Sequence, residues 1–316
     1  MSTPPVILGT RGSDLALAQS KLVREALEAA HPGLRVELRI ITTTGDARTT
    51  MPLHEPTAEG AGLFTKQLEE ALLGGEIDLA VHSLKDLPVQ TPAGLVLAAI
   101  LPRAPVDDLL VSRHAGGVGG LPEGAVIGTS SPRRELLLKA RRPDLRMVPI
   151  RGNVPTRLSK IAAGGSYDAT VLAAAGLVRL GHDISFGSLE VDGFRLGLEV
   201  LDWMLPAPGQ GAIAVETREG DRAAELAEVL NHTATARCVE AERLVLKHLG
   251  GGCHLALGAL GSESGGLISL RAVFVPDKAD PAQAAQSIRS AIRSGEASSP
   301  TPAGAARTVA DQLLFP

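Results

Sequence analysis

A chain of 316 residues, 44% hydrophobic and 21% charged, is too long for one compact core and too evenly mixed for a disordered or fibrous protein. Two or three globular domains are therefore expected, with aromatics at only 2% leaving Leu, Val, Ile and Ala to build their cores. A formal net charge of -4 argues against a bulk electrostatic partner such as nucleic acid or an anionic membrane, so any anion site must be local.

In chain order, Val6 to Leu8 reads as a short strand. The polar turn TRGS then leads into a helix with Ser13 as N-cap and Leu15, Ala18, Leu22 and Ala26 as one stripe. His31-Pro32-Gly33 stops that helix, and alternating Val36, Leu38 and Ile40 predict a second strand. From Thr42 to Gly62 the chain is polar and rich in Thr and Gly, too long for an ordinary connection, and reads as a mobile lid. FTKQLEEALL predicts a helix and IDLAVHS a strand. Two further strand-to-helix units follow, AVIGTSSPRRELLLKARR and LRMVPIRGNVPTRLSKIAAG, the second leading into the apolar strand YDATVLAAA. Such alternation predicts parallel sheets covered by helices on both faces.

PAPGQGAIAVE reads as a segment that crosses back to a sheet. After Asn231 the pattern changes to a long helix, ATARCVEAERLVLKHL, then a glycine-rich turn, strands around LGAL and LISLRAVFV, and terminal helices. This predicts a separate small α/β domain, with GEASSPTPAG at 295 to 304 as an exposed loop. No run is apolar enough to span a bilayer, and MSTPPVILGTRGSD lacks the basic start and long apolar stretch of a secretory signal. A cytoplasmic protein is expected, whose two cysteines, Cys238 and Cys253, stay as thiols.

Local anion sites are legible at three helix starts. Pro132 suits a first helical turn, and Thr129, Ser130 and Ser131 place hydroxyls and N–H groups at its positive end. Arg133 and Arg134 follow, each able to grip a carboxylate through paired hydrogen bonds. The design recurs at RGNVPTR, with Arg151 before the turn and Arg157 on the helix, and at Thr10, Arg11 and Ser13. Any one such arginine could simply be solvated and any hydroxyl simply a cap. Repeated cations beside a helix N-terminus are unfavourable by themselves, and a polyanionic ligand would offset them. No GxxxxGK[ST] or GxGxxG pattern marks a nucleotide site.

In VHSLKDLP the strand ends at Val81, so His82, Ser83, Lys85 and Asp86 fall where open α/β sheets bind ligands. Asp86 could serve as acid, base or cation stabiliser, or pair with Lys85 on a surface turn. His82 could merely satisfy a backbone group near the strand end. Cys253 follows three glycines on a bare loop, open either to covalent chemistry or to packing as a small hydrophobe. Cys238 fits the packing role, and no second ligand pair supports a metal at Cys253 and His254.

With VHSLKDLP, GTSSPRR, RGNVPTR and GGGCH in this order, and matches running from TRGS at 10–13 to LGA at 257–259, the chain resembles the porphobilinogen deaminase (hydroxymethylbilane synthase) family. The resemblance implies an α/β fold of three domains, the first two facing each other like the lobes of a periplasmic binding protein. Their implied limits are 1–104 with 211–229, then 105–210, then a C-terminal cysteine domain at 230–316. It implies a transferase that deaminates four porphobilinogen molecules and joins them head to tail into hydroxymethylbilane, for tetrapyrrole (haem and chlorophyll) biosynthesis. It also implies a primer, the dipyrromethane cofactor, held as a thioether at Cys253, with Asp86 as the catalytic carboxylate.

By position, Lys85, Thr129, Ser131, Arg133, Arg134, Arg157 and Gln210 would bind the cofactor, and Arg11, Ser13, Arg151 and Arg179 the substrate. A monomer with no metal, nucleic acid or membrane partner is expected. Two departures from the family stand out: Thr57 and Ala61 replace lysines in the lid, and Ala256 replaces a proline after the cysteine. A non-catalytic two-lobed binder of a small polycarboxylate, or a relative inactivated through its lid, are the competing readings.

Overall fold

The computed structural model describes residues 4–42, 65–251, 255–276 and 285–315. The expected lid from 43 onward, with Thr57 and Ala61, and the Cys253 anchor lie outside the described residues. The first strands are β1 (Val6–Thr10), β2 (Val36–Ile40), β3 (Leu79–Ser83), β4 (Leu95–Ile100), β5 (Asp108–Ser112), β6 (Val126–Gly128) and β7 (Arg146–Val148). They are followed by β8 (Ala169–Ala173), β9 (Ser188–Val191), β10 (Phe194–Val200), β11 (Ile213–Arg218), β12 (Ala256–Ser264), β13 (Leu267–Val275) and β14 (Arg293–Ser299).

These strands form three sheets, ordered β2-β1-β3-β11-β4, β7-β6-β8-β5-β10-β9 and β12-β13-β14. The architecture is α/β, but the sheets are mixed, not parallel. β1 pairs parallel with β2 and β3, whereas β11 is antiparallel to both β3 and β4. In the second sheet β5 is antiparallel to β8 and β10, and the third sheet is wholly antiparallel. The reason is topological: the chain leaves the first sheet after β4, builds the second, and re-enters the first as β11 from the opposite end.

The two crossings run side by side. Leu101 N–H donates to Ile213 O at 3.1 Å, and Ala104 N–H to Gly211 O at 3.1 Å. Gly211 has φ +87 and a side chain there would stand 2.6 Å from Ala104 O, so only glycine fits this turn. Arg103, on the outgoing crossing, meets the fully buried Glu242 bidentately at 2.6 and 2.9 Å. The same carboxylate accepts from Gly209 N at 2.7 Å and Gly261 N at 2.8 Å, tying the crossings to the C-terminal unit.

The core of the first sheet is aliphatic, as the composition requires. Leu8, Leu27 and Leu79 are fully buried, each contributing about 1.5–3 kcal/mol relative to exposure. Ser13 caps the Asp14–Ala30 helix, accepting from Ala16 N. That helix is rotated from the expected stripe: Gln19, Ser20, Val23 and Leu27 are buried, while Leu22 is 46% exposed. Polar contacts decide its first half, where Gln19 Nε2 donates to Ser83 Oγ at 3.0 Å across to β3.

The Pro132–Arg141 helix starts as its sequence implies, with Ser131 at the N-cap and Pro132 in the first turn. Leu136 and Leu138 on it share a core with Ile127 of β6 and with Ala256, Val275 and Ile288 of the C-terminal unit. The segment expected as a loop at 295 to 304 is instead strand β14 followed by the start of the Pro302–Leu314 helix. β14 is an edge strand whose alternate residues face solvent, so small polar residues serve it. Its backbone pairing with β13 is independent of side-chain hydrophobicity.

Candidate active site

β3 is buried over four of its five residues and ends at a short 3-10 turn, Leu84–Asp86, which carries Lys85 and Asp86 out of the sheet at its carboxyl end. A cavity of about 570 Å³ opens there, walled by Lys85 and Asp86 from the first lobe and by Ser131, Arg133, Arg134 and Gln210 from the second. The C-terminal unit adds a further wall, including Gly250, Gly251 and Leu255, which flank the Cys253 segment in sequence. A smaller cavity of about 70 Å³ adjoins, lined by Arg11, Ser13, Gln19, His82 and Ser83, and again by Asp86. Asp86 therefore borders both spaces.

Neither Lys85 nor Asp86 makes a hydrogen bond or ion pair among the described residues, so the surface-turn pairing of the two is absent. Lys85 is pushed down to about 8 by burial, which Asp86 opposes; Arg134 and Arg133 add repulsion and Asp108 attraction. A cation placed under that strain is suited to an incoming anion.

Arg133 and Arg134 are engaged more deeply than expected from their position at a helix start. Both face Asp108, a fully buried acid at the start of β5: Arg133 Nη1 lies 2.7 Å from Oδ2 and Arg134 Nη2 2.6 Å from Oδ1. Arg133 also donates to Leu205 O and Arg134 to Val171 O, each at 2.8 Å. Burial alone pushes Asp108 up, but the two guanidiniums outweigh it and hold the carboxyl well below its usual range. Gln210, fully buried, donates through Nε2 to Val106 O at 2.6 Å and to Asp108 Oδ1 at 3.1 Å. Those two acceptors fix the amide orientation, and its Oε1 is buried with no partner among the described residues.

Other candidates sit farther out. Thr129 is buried and accepts from Ser131 N at 3.2 Å. Arg157 donates to Gly152 O at 2.8 Å; burial lowers its pKa, Arg134 and Arg151 lower it further, and Asp86 opposes them. Arg179, pushed down to about 10 by burial, donates to Gly211 O at 2.7 Å and so reaches the lobe crossing. Thr129, Arg151, Arg157 and Arg179 are not among the residues lining either cavity. His82 is buried and its ring nitrogen lies 3.1 Å from Glu216 Oε2, the only hydrogen bond of its side chain among the described residues. Cys238 is buried, as a packing role requires. No three acids, histidines or cysteines cluster as a metal site among the described residues.

Asp108 and Glu242 escaped the sequence reading. The signal for Asp108 was an acid opening the apolar strand DLLV, seen together with paired arginines that need a counterion when buried.

Residues 6–226 match the family model described as porphobilinogen deaminase, dipyromethane cofactor binding domain, and residues 236–299 match porphobilinogen deaminase, C-terminal domain. A porphobilinogen deaminase of Rubrobacter xylanophilus is 50% identical over 87% of this chain and 86% of its own length. One from Roseiflexus sp. is 44% identical over 98% of this chain and 95% of its own. A probable porphobilinogen deaminase of Ignicoccus hospitalis is 45% identical over 85% of each chain. A cation-lined cavity between the lobes, an aspartate on its edge and this likeness over nearly the whole length agree: the chain belongs to the porphobilinogen deaminase family.

Proposed function

We propose that this chain is a transferase that joins four porphobilinogen units, with loss of ammonia, on a covalent dipyrromethane primer and releases hydroxymethylbilane for tetrapyrrole biosynthesis. The observation that carries the reading is Asp86 on the boundary of two cavities, the larger bordered by Gly250, Gly251 and Leu255 next to Cys253. In this reading the larger space holds the dipyrromethane and the smaller one receives substrate at Arg11 and Ser13.

The residues present fit the primer. Lys85 is a cation without an ion pair among the described residues, and the unpartnered Gln210 Oε1 is an acceptor suited to a pyrrole N–H. Lys85, Ser131, Arg133 and Arg134 would hold its acetate and propionate groups, with Thr129 and Arg157 behind them. Bound through the Cys253 sulfur, the primer would supply the free pyrrole carbon to which the first new unit is joined, each later unit joining the ring added before it. Arg151 and Arg179 extend the positive field along which a lengthening polyacid lies. Asp86 stabilises the positive charge that develops on pyrrole nitrogen as ammonia leaves, and its effect is strengthened where the lobes exclude water.

The domain limits 1–104 with 211–229, 105–210 and 230–316 are supported by the paired crossings and by the Thr233–His248 helix that opens the last unit. A cytoplasmic monomer with no nucleic-acid partner is part of the same proposal, supported by a net charge of -4 and by only two cysteines in the sequence, 238 and 253. Among the described residues no helix is long and apolar enough to cross a membrane.

Intact-mass measurement tests the anchor. Wild-type protein from a haem-competent host should carry the mass of two linked pyrroles, and Cys253→Ser should lack it and be inactive; an unmodified wild type contradicts the reading. Lys85 gives a second test, in the primer-free protein. Its folded pKa of about 8 lies below the unfolded value, so the protonated form carries a penalty in the folded state below pH 8. That penalty fades as pH rises toward about 10.4. Lys85→Met should therefore stabilise the primer-free protein by about 1 kcal/mol near neutrality, after allowance for partial solvent access. Melting curves should show the gain vanish by about pH 10.5. A gain independent of pH would trace to packing instead of charge.

A further inference from the structure

Arg243 lies in the last turns of the Thr233–His248 helix, and its guanidinium donates to four backbone carbonyls. Nη1 donates to Leu84 O at 3.3 Å and Leu87 O at 3.1 Å. Nη2 donates to Pro88 O at 2.6 Å and Val89 O at 3.4 Å. All four acceptors belong to the turn that carries Asp86 and its continuation. A planar guanidinium offers fixed donors on two nitrogens to such a spread of acceptors, whereas an ammonium offers three donors around one point.

Turn and helix also meet through Leu84 and Leu87, which share a small buried core with Val239, so Arg243 adds the polar tie to an apolar one. The turn's own backbone bonds are Leu84 N–H to Ala212 O and Leu87 N–H to Leu84 O. A cavity of about 200 Å³, walled by Leu84, Val89, Leu97, Val239 and Leu244, leaves the apolar contact between helix and turn incomplete. Beyond the end of this helix the chain continues through Gly250 and Gly251, which border the large cavity together with Asp86. One side chain thus ties the turn bearing the carboxylate to the element leading into the cysteine segment.

We propose that Arg243 is a positioning residue for the polymerisation: it fixes the Asp86 turn against the helix that precedes Cys253, so that carboxylate and tethered chain end keep their register through successive additions. This rests on the roles given to Asp86 and Cys253 above. Arg243 borders the large cavity, but its Nη1 and Nη2 donate to backbone carbonyls of the turn, so in this proposal it acts through the placement of Asp86. Misplacement by an ångström of a group that must meet developing charge lowers rate more than it weakens binding.

The test uses holoenzyme carrying Arg243→Ala, Arg243→Lys or, as comparison, Arg218→Ala. Arg218 also clamps carbonyls of the first lobe, Leu72 O and Ile77 O, both at 2.7 Å, but borders neither cavity. In Arg243→Ala the two-pyrrole adduct should remain by intact mass, KM should stay within about threefold and kcat should fall about 100-fold. Arg243→Lys should recover only part of that loss. Arg218→Ala should keep kcat within about twofold even if its melting temperature falls. Should Arg243→Ala fail to fold, Arg243→Lys reads the same quantity: a lowered kcat at unchanged KM supports the clamp. An unchanged kcat in a folded Arg243 variant, or a loss carried by KM alone, overturns it. Wild type without adduct or turnover would instead refute the functional reading itself.

Discussion

Asp86→Asn is expected to lower porphobilinogen turnover by about 100- to 10,000-fold, the range associated with a positioned acid or base. The two-pyrrole mass at Cys253 should be retained. The substitution keeps the shape of the side chain and removes only its charge. That charge is available in the structure, since Asp86 is exposed to the cleft and makes no ion pair among the described residues. It also stands where the two cavities meet, so it faces both a tethered ring and an incoming one. Neutral Asn can still accept a hydrogen bond but cannot offset a developing cation. Steady-state turnover together with intact mass decides the matter, and an Asn variant within about tenfold of wild type would strip Asp86 of its electrostatic role.

Asp108→Asn should destabilise the fold by about 3–5 kcal/mol, the usual consequence of removing one partner from a buried ionic group. Asp108 is fully buried against Arg133, Arg134 and Gln210, and its loss leaves two guanidiniums in the interior with no counterion. Because its folded pKa lies below the unfolded value, this contribution is fully present above about pH 3.9 and is lost as pH falls through the folded value. Urea unfolding near neutrality should show the full difference, narrowing in strong acid. A shift under about 1 kcal/mol would mean that the arginines find other partners, such as the primer's own carboxylates. Comparing primer-free and loaded protein separates those cases.

The local structure around the candidate site was largely legible in the sequence. Pro132 after a run of hydroxyls marked a helix start, and Ser131 and Ser13 do occupy N-caps. Asp86 was legible as a carboxylate at a strand end, because apolar alternation shows where a strand stops. Strand direction was not legible, since periodicity reports burial and is the same for a strand read either way; hence the antiparallel β11. Gln19 and Ser20 misled in another way: they are polar yet buried, for reasons that lie on β3 and not on their own helix. The partner of Arg133 and Arg134 was hidden because Asp108 is separated from them by a whole strand-to-helix unit.

The place of β11 between β3 and β4 has a consequence for biogenesis. During synthesis, β3 and β4 leave the ribosome long before residues 213–218, and they share no hydrogen-bonded edge without them. The second sheet is uninterrupted in sequence and is complete once β10 has emerged. The nascent protein therefore matures from its middle outward, and until β11 arrives the half bearing Asp86 presents two open strand edges to chaperones and to other chains.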